Sequence, residues 1–286
     1  MPRAYRYLMF LSPVIFMIAF VVGPIMIMIA VSFWQRQGFT VVPAFQLDAY
    51  AEFLGGVRTA VLSRTLTTAF FATALSLLVA YPIAYYLARM SRPKVVRIVL
   101  MLLTIPFLIN YIIRNFAWAY LLGRTGPVNM MLMQLGLTDG PVDWLLYSTF
   151  SVYVGLLASY MPFMVFPLWL SLSRIDGRLL EASYMLGASP VKTFLRVTLP
   201  LSMPGLFAAV IFGFVGMLGE SAVPLVLGGA GYELMGNTIT SAMNVLNYPL
   251  AAAMSTVTVL LMVVLIAMWY FLTDIRTFLG QIMGRE

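Results

Sequence analysis

Apolar residues run along this chain in long blocks rather than at the short spacing of half-buried helices. Six blocks stand out, at about residues 7–34, 65–87, 98–122, 148–173, 203–225 and 249–272. Each is near or above the ~20 residues a helix needs to cross a bilayer. Pro13 and Pro24 are expected bends in the first, Pro82 falls near the end of the second, and Pro162 and Pro167 lie inside the fourth. Between the blocks, Asp48–Leu54 and residues 128–135 predict short helices. The glycine- and asparagine-rich stretch 227–248 predicts a short external or partly re-entrant one.

One inter-block segment, 176–200, carries a helical pattern of its own. Asp176 or Gly177 starts a helix on which Leu179, Leu180, Ala182 and Leu186 share an apolar side. Gly187 is placed to stop it, because glycine tolerates the left-handed conformation at a helix C-terminus. Ser189-Pro190 then reads as an N-cap followed by a first helical residue. Val191, Phe194, Leu195 and Thr198 recur at helical spacing, and Leu199-Pro200 is expected to close the unit. Two short helices with a fixed kink predict a docking surface rather than a linker.

Composition supports the membrane reading. The 286 residues are 62% hydrophobic and only 9% charged, with a mean hydropathy of +0.96. Soluble domains carry roughly 25% charged residues, so this chain spans a bilayer and is predicted to be an all-α, polytopic protein with six transmembrane helices. Met1–Arg6 is short and basic and imitates a signal peptide, with Ala30-Val31-Ser32 as a small-x-small site. The apolar run that follows is far longer than the roughly 7–15 residues of a signal core, which predicts an uncleaved first span.

Charge sets the expected orientation. Twelve basic residues fall in segments on one side (Arg3, Arg6, Arg89, Arg92, Lys94, Arg97, Arg174, Arg178, Lys192, Arg196, Arg276, Arg285). Four fall on the other (Arg36, Arg58, Arg64, Arg124), and with Arg114 inside a block these account for all 17 Lys and Arg. The positive-inside rule then predicts that both termini and the 176–200 segment are cytoplasmic. The net charge of +7 is spread over short loops rather than gathered in one stripe, which argues against a nucleic-acid partner. Without cysteine or histidine, disulfide, thiolate, zinc and imidazole chemistry are excluded. The sequence holds no Gly-Lys pair and hence no phosphate-binding loop of the Gly-Lys-Ser/Thr type. Any ATP used by the system, with its magnesium, is expected on another chain, and no cofactor is expected on this one.

Two charges stand inside apolar blocks, Arg114 and Glu220. Each is costly in hydrocarbon unless paired or hydrated, which makes it a functional candidate. Each lies about 17 residues from one end of its block, ~25 Å at the helical rise, so the two are expected at similar height. Either they pair to hold the bundle, or Glu220 lines a path for a cation, with Tyr111, Trp118 and Tyr160 as aromatic walls.

The residues Glu181-Ala182-Ser183, Gly187 and Val197-Thr198-Leu199-Pro200, at their separations, resemble the "EAA" loop of ABC-importer permeases, with Ser183 in place of the usual second alanine and Val197 where isoleucine is common. In that family the loop is the coupling helix that fits a groove on the cytoplasmic ATPase. The resemblance implies that Glu181, Ala182, Gly187, Leu199 and Pro200 belong to that element, with Glu181 facing a basic residue of the ATPase. A second set narrows the branch. Ile105-Pro106-Phe107, Asn110, Ile113-Arg114 and Phe116-Ala117-Trp118, with Gly219-Glu220, Pro224, Leu227-Gly228-Gly229 and Gly236-Asn237, resemble the spermidine/putrescine permeases. These motifs place Asn110 among the path candidates with Arg114 and Glu220.

What the resemblance implies is a type I ABC-importer permease of a bacterial inner membrane. Residues 61–273 would form its core, 1–60 a first span with an external connection, and 274–286 a cytoplasmic tail. Its expected partners are a second homologous permease chain, two cytoplasmic ATPase subunits and an extracytoplasmic solute-binding protein. A polyamine or related cationic solute is the expected cargo, with an opine or amino-acid derivative as the alternative. A stand-alone ion-coupled transporter using Glu220 is the reading from another class, and a membrane enzyme is disfavoured because no catalytic cluster is evident.

Overall fold

The protein is described from a computed structural model, which covers residues 11–272 with Ser12 and Phe39 excepted. The basic Met1–Arg6 segment and the tail 274–286 lie outside the described residues. In chain order the elements are α1 (Pro13–Val31), a hairpin of β1 (Gln35–Gln37) and β2 (Thr40–Val42), α2 (Asp48–Leu54), α3 (Arg58–Arg89), α4 (Pro93–Leu108), α5 (Tyr111–Leu122) and α6 (Pro127–Gln134). They continue with α7 (Thr149–Ser173) and α8 (Gly177–Met185), α9 (Pro190–Leu218), then α10 (Ala222–Leu227), α11 (Met235–Asn244) and α12 (Tyr248–Leu272). Among the described residues, five helices are long and apolar enough to cross a membrane, and a sixth span is formed if the bent α4–α5 pair counts as one.

The described residues divide into two compact units. In the unit that runs to Val61 and resumes at Thr238, α12 packs against α1 and α2. The antiparallel hairpin pairs Gln35 with Val42 and Gln37 with Thr40. The polar composition of this connection does not announce it. Arg36 ties the hairpin down by donating from Nη2 to the Val245 carbonyl at 2.9 Å. The predicted helix Asp48–Leu54 is present at those bounds.

The unit Leu62–Asn237 is built on the α7–α9 pair. Its apolar core joins Ala80, Ala84 and Leu87 of α3 with Met164, Val165, Leu168 and Leu172 of α7 and Ala209 of α9. Without a hydrophobic drive between helices in lipid, close approach depends on small side chains. Gly205 shows it directly: a Cβ there would stand 2.5 Å from the Pro167 carbonyl and 2.4 Å from Ser171 Cβ. The fourth span begins with a reciprocal cap, Ser148 and Ser151 each bonding the other's backbone amide.

Three expectations need correction. The third span is not one helix from 98 to 122: it starts at Pro93 and breaks between Leu108 and Tyr111, the two parts meeting at 95°. Pro106 removes a helix donor near the break, and the Asn110 side chain accepts from the amides of Ile112 and Ile113, starting a new helix. A linear rise therefore does not give the depth of Arg114. The fifth span likewise does not run on to 225, because α9 ends at Leu218 and α10 begins at Ala222. Third, Leu199-Pro200 does not close the second loop helix, which continues as α9. A π turn at Phe194–Thr198 shifts the bonding, with the Leu199 amide reaching back to the Phe194 carbonyl. That register change accommodates Pro200, which has no amide to give.

Candidate functional site

The 176–200 segment folds as its caps dictate. Asp176 accepts from the Arg178 amide at 3.0 Å and opens α8. Gly187 sits at φ +77°, and the bonds Ala188 N–H to Ser183 carbonyl and Gly187 N–H to Tyr184 carbonyl close the helix. This is the Schellman arrangement that glycine permits. Ser189 accepts from the Lys192 amide at 3.3 Å, with Pro190 as the next residue. The Ser183 and Thr193 hydroxyls then bond at 2.9 Å across the turn, fastening α8 to the start of α9. The hydroxyl that distinguishes Ser183 from the alanine usual there in the resembled loop makes this bond.

The loop presents an apolar surface to its surroundings. Met185 and Leu186 at its tip are each 88% exposed, with Tyr184, Val191 and Leu195 exposed around them. Glu181 and Ala182 are exposed on α8, and Glu181 makes no ion pair among the described residues. Leu199 and Pro200, expected at the end of the loop, lie inside α9.

The second site forms where α9 breaks. Glu220 is 3% exposed, and an ionised carboxylate that deep is costly unless hydrogen bonds surround it. Oε1 accepts from the Ala222 and Val223 amides at 2.8 and 3.1 Å, so the carboxylate caps α10. Oε2 accepts from the hydroxyl of Tyr111 and lies 2.8 Å from that of Tyr160. The four donors come from α5, α7 and the first turn of α10, and the carboxylate joins these three elements.

Arg114 does not pair with Glu220. Its Nη1 donates to the Pro106 carbonyl at 3.0 Å, one of the α4 C-terminal carbonyls that lack an intrahelical partner. Its guanidinium also lies over the Tyr111 ring, 5.1 Å from the centroid. The two in-span charges are thus linked through Tyr111, whose face meets the cation and whose hydroxyl meets the carboxylate. Asn110 is the α5 cap described above, and Trp118, half-buried on α5, stands outside the hydrogen-bonded cluster.

Sequence reading missed Gly216. The Tyr160 hydroxyl lies 3.0 Å from the Gly216 carbonyl, and the ring packs so closely that a Cβ on Gly216 would meet Cε1 at 2.3 Å. In the sequence Gly216 is only one of several glycines in an apolar block, and no local signal pairs it with a tyrosine 56 residues away.

The unit Leu62–Asn237 thus combines a broken third span, a fifth span ending at a capped carboxylate and an exposed two-helix loop. Residues 76–276 match the family described as the binding-protein-dependent transport system inner membrane component, and the chain belongs to that family. It is 35% identical over 256 residues to the spermidine/putrescine transport system permease protein PotB of Escherichia coli strain K12, covering 88% of this chain and 92% of that one. Identity to the inner membrane ABC transporter permease protein YdcU of the same organism is 31% over 279 residues, covering 93% of this chain and 89% of that one. A bacterial ABC transporter that imports the acidic polysaccharide alginate shares the fold, with a TM-score of 0.70 at 17% identity over 94% of each chain. The protein is a membrane-spanning permease subunit of an ABC importer and a transport component rather than an enzyme.

Proposed function

We propose that this permease imports polyamines, spermidine or putrescine, or a closely related cationic solute. The observation that carries the reading is its 35% identity to PotB across nearly the whole of both chains. The acidic, aromatic character of the cluster around Glu220 agrees with it, since a linear polycation needs carboxylates and ring faces along its way. In the conformation described, all four donors enclose Glu220. The carboxylate becomes available to a passing amine only when α5 and α10 separate, as alternating access would require.

Energy for that separation would come from a cytoplasmic ATPase pair docked on the 176–200 loop. Exposed Met185 and Leu186 supply the apolar anchor of such an interface, and free Glu181 supplies a charge for a basic partner residue. ATP and magnesium would be held by that ATPase. A second permease chain and an extracytoplasmic binding protein would complete the assembly in a bacterial inner membrane, with both termini of this chain cytoplasmic.

Affinity purification of this chain from native membranes in mild detergent tests the assembly. An ATPase, a second permease and a binding protein that takes up spermidine or putrescine are expected to co-purify. Recovery of a transport-active chain alone would contradict it.

A further inference from the structure

Three apolar helices, α3, α4 and α7, reach one cavity of about 470 Å³ at the end of the group from which the Glu181 loop departs. Helix α3 ends there at Arg89, α4 begins at Pro93, and α7 ends at Ser173. Because all three apolar helices stop or start at this level, the cavity lies at the boundary between hydrocarbon and headgroups. Leu87, Val96, Leu100 and Trp169 form an apolar wall, and Ser91, Arg97 and Ser173 give the polar lining.

The polar groups at this boundary include donors that lack acceptors. Ser91 Oγ is buried without a hydrogen-bond partner, as are Nε and Nη2 of Arg89 two residues earlier. Arg97 makes no ion pair among the described residues. The stretch from Arg89 to Arg97 carries Arg89, Arg92, Lys94 and Arg97 and not one acidic residue. Ser91 is the unpaired buried group of the lining itself, with Arg89 just outside it and Arg97 exposed at its rim, and this gathering of unanswered, mostly cationic donors calls for an anion. A small soluble anion would leave the apolar wall unused, whereas a zwitterionic lipid would bring a cation of its own against four.

We propose that the cavity binds one anionic phospholipid, its phosphate held by Arg97 and Ser91 and an acyl chain laid along Leu87, Val96 and Leu100. Basic pockets between spans on one membrane face recognise anionic headgroups on this principle. The inference stands apart from the identity of the transported solute and from the role of the Glu181 loop.

The test is native mass spectrometry of the full chain released from nanodiscs of equal phosphatidylglycerol and phosphatidylcholine. Phosphatidylglycerol is expected to be retained in preference. Arg97→Gln should lower its retention about fivefold, the contribution of one basic side chain near a membrane surface, while Arg97→Lys keeps most of it. Leu100→Trp, which fills the cavity without touching a charge, should expel the lipid. Arg174→Gln, a charge at the end of α7 outside the cavity lining, should change nothing. A monodisperse size-exclusion profile for each variant shows that the fold survives. Equal retention of the two lipids would overturn the proposal, as it would if a protein partner covered the cavity instead. Equal losses in Arg97→Gln and Arg174→Gln, or an unaffected Leu100→Trp, would reduce the effect to diffuse attraction and overturn it too.

Discussion

The Tyr160 hydroxyl lies 2.8 Å from Glu220 Oε2 and 3.0 Å from the Gly216 carbonyl, so one proton is shared between a buried carboxylate and the backbone of the helix leading to it. Removing the carboxylate leaves the Ala222 and Val223 amides and the Tyr111 phenol without their acceptor, while Tyr160 keeps the Gly216 carbonyl. Each buried group left unsatisfied costs about 1–3 kcal/mol. Glu220→Ala is therefore expected to lower the thermal midpoint of the detergent-solubilised protein well below that of Glu220→Gln, whose carbonyl oxygen still accepts from Ala222 and Val223. If Glu220 also meets the solute, Glu220→Gln reduces cation uptake out of proportion to its effect on stability. Intact uptake by Glu220→Gln would remove the carboxylate from the path.

Gly216→Ala tests the same contact from the other side. Its methyl would stand 2.3 Å from Tyr160 Cε1, so the ring must move and take its hydroxyl away from Oε2. The expected result is a loss of stability of about 1–3 kcal/mol, as for overpacking in a tight core. Combining it with Tyr160→Phe should cost less than the sum of the two changes, because both break one contact. Full additivity in such a cycle would show that Gly216 and Tyr160 act separately.

At Gly187 a methyl group would meet nothing within 4 Å, yet φ is +77°. The penalty for a side chain there is backbone strain alone, about 1–2 kcal/mol. Gly187→Asn should be tolerated better than Gly187→Val, since asparagine accepts the left-handed region and β-branched residues do not. The order should appear in ATP-driven transport by the reconstituted importer. Equal activity of the two variants would mean that the turn is not held in this conformation during function.

Glu181→Ala removes an exposed side chain that makes no ion pair among the described residues, so the isolated permease should melt unchanged. In reconstituted vesicles, solute-stimulated ATPase activity and uptake should fall together, on the order of tenfold if a charge-assisted contact of about 1.5 kcal/mol or slightly more is lost. Unchanged stimulation would take Glu181 out of the docking surface.

The 176–200 loop is legible because its instructions are local. Asp176, Gly187 and Ser189-Pro190 each act within three or four residues, and all three caps fall where the spacing puts them. The fourth and sixth spans are legible for the same reason, since long apolar blocks have one stable form in lipid. The breaks at Ile109-Asn110 and Gly219 are not, because hydropathy runs straight through both. Asn110, four residues after Pro106, is an available sign of a new helix start. Glu220 gives no such sign: in the sequence it is an isolated charge in a span, and its tyrosine partners come from helices distant along the chain.

ATP-driven import of a polyamine is tested most directly by accumulation of labelled spermidine in vesicles. The vesicles would carry this chain with its co-purified permease, ATPase and binding protein. The expected result is accumulation against a gradient that requires ATP and the binding protein, is competed by putrescine and falls on the order of tenfold in Glu181→Ala. Accumulation of a neutral or anionic solute in preference, with spermidine excluded, would contradict it.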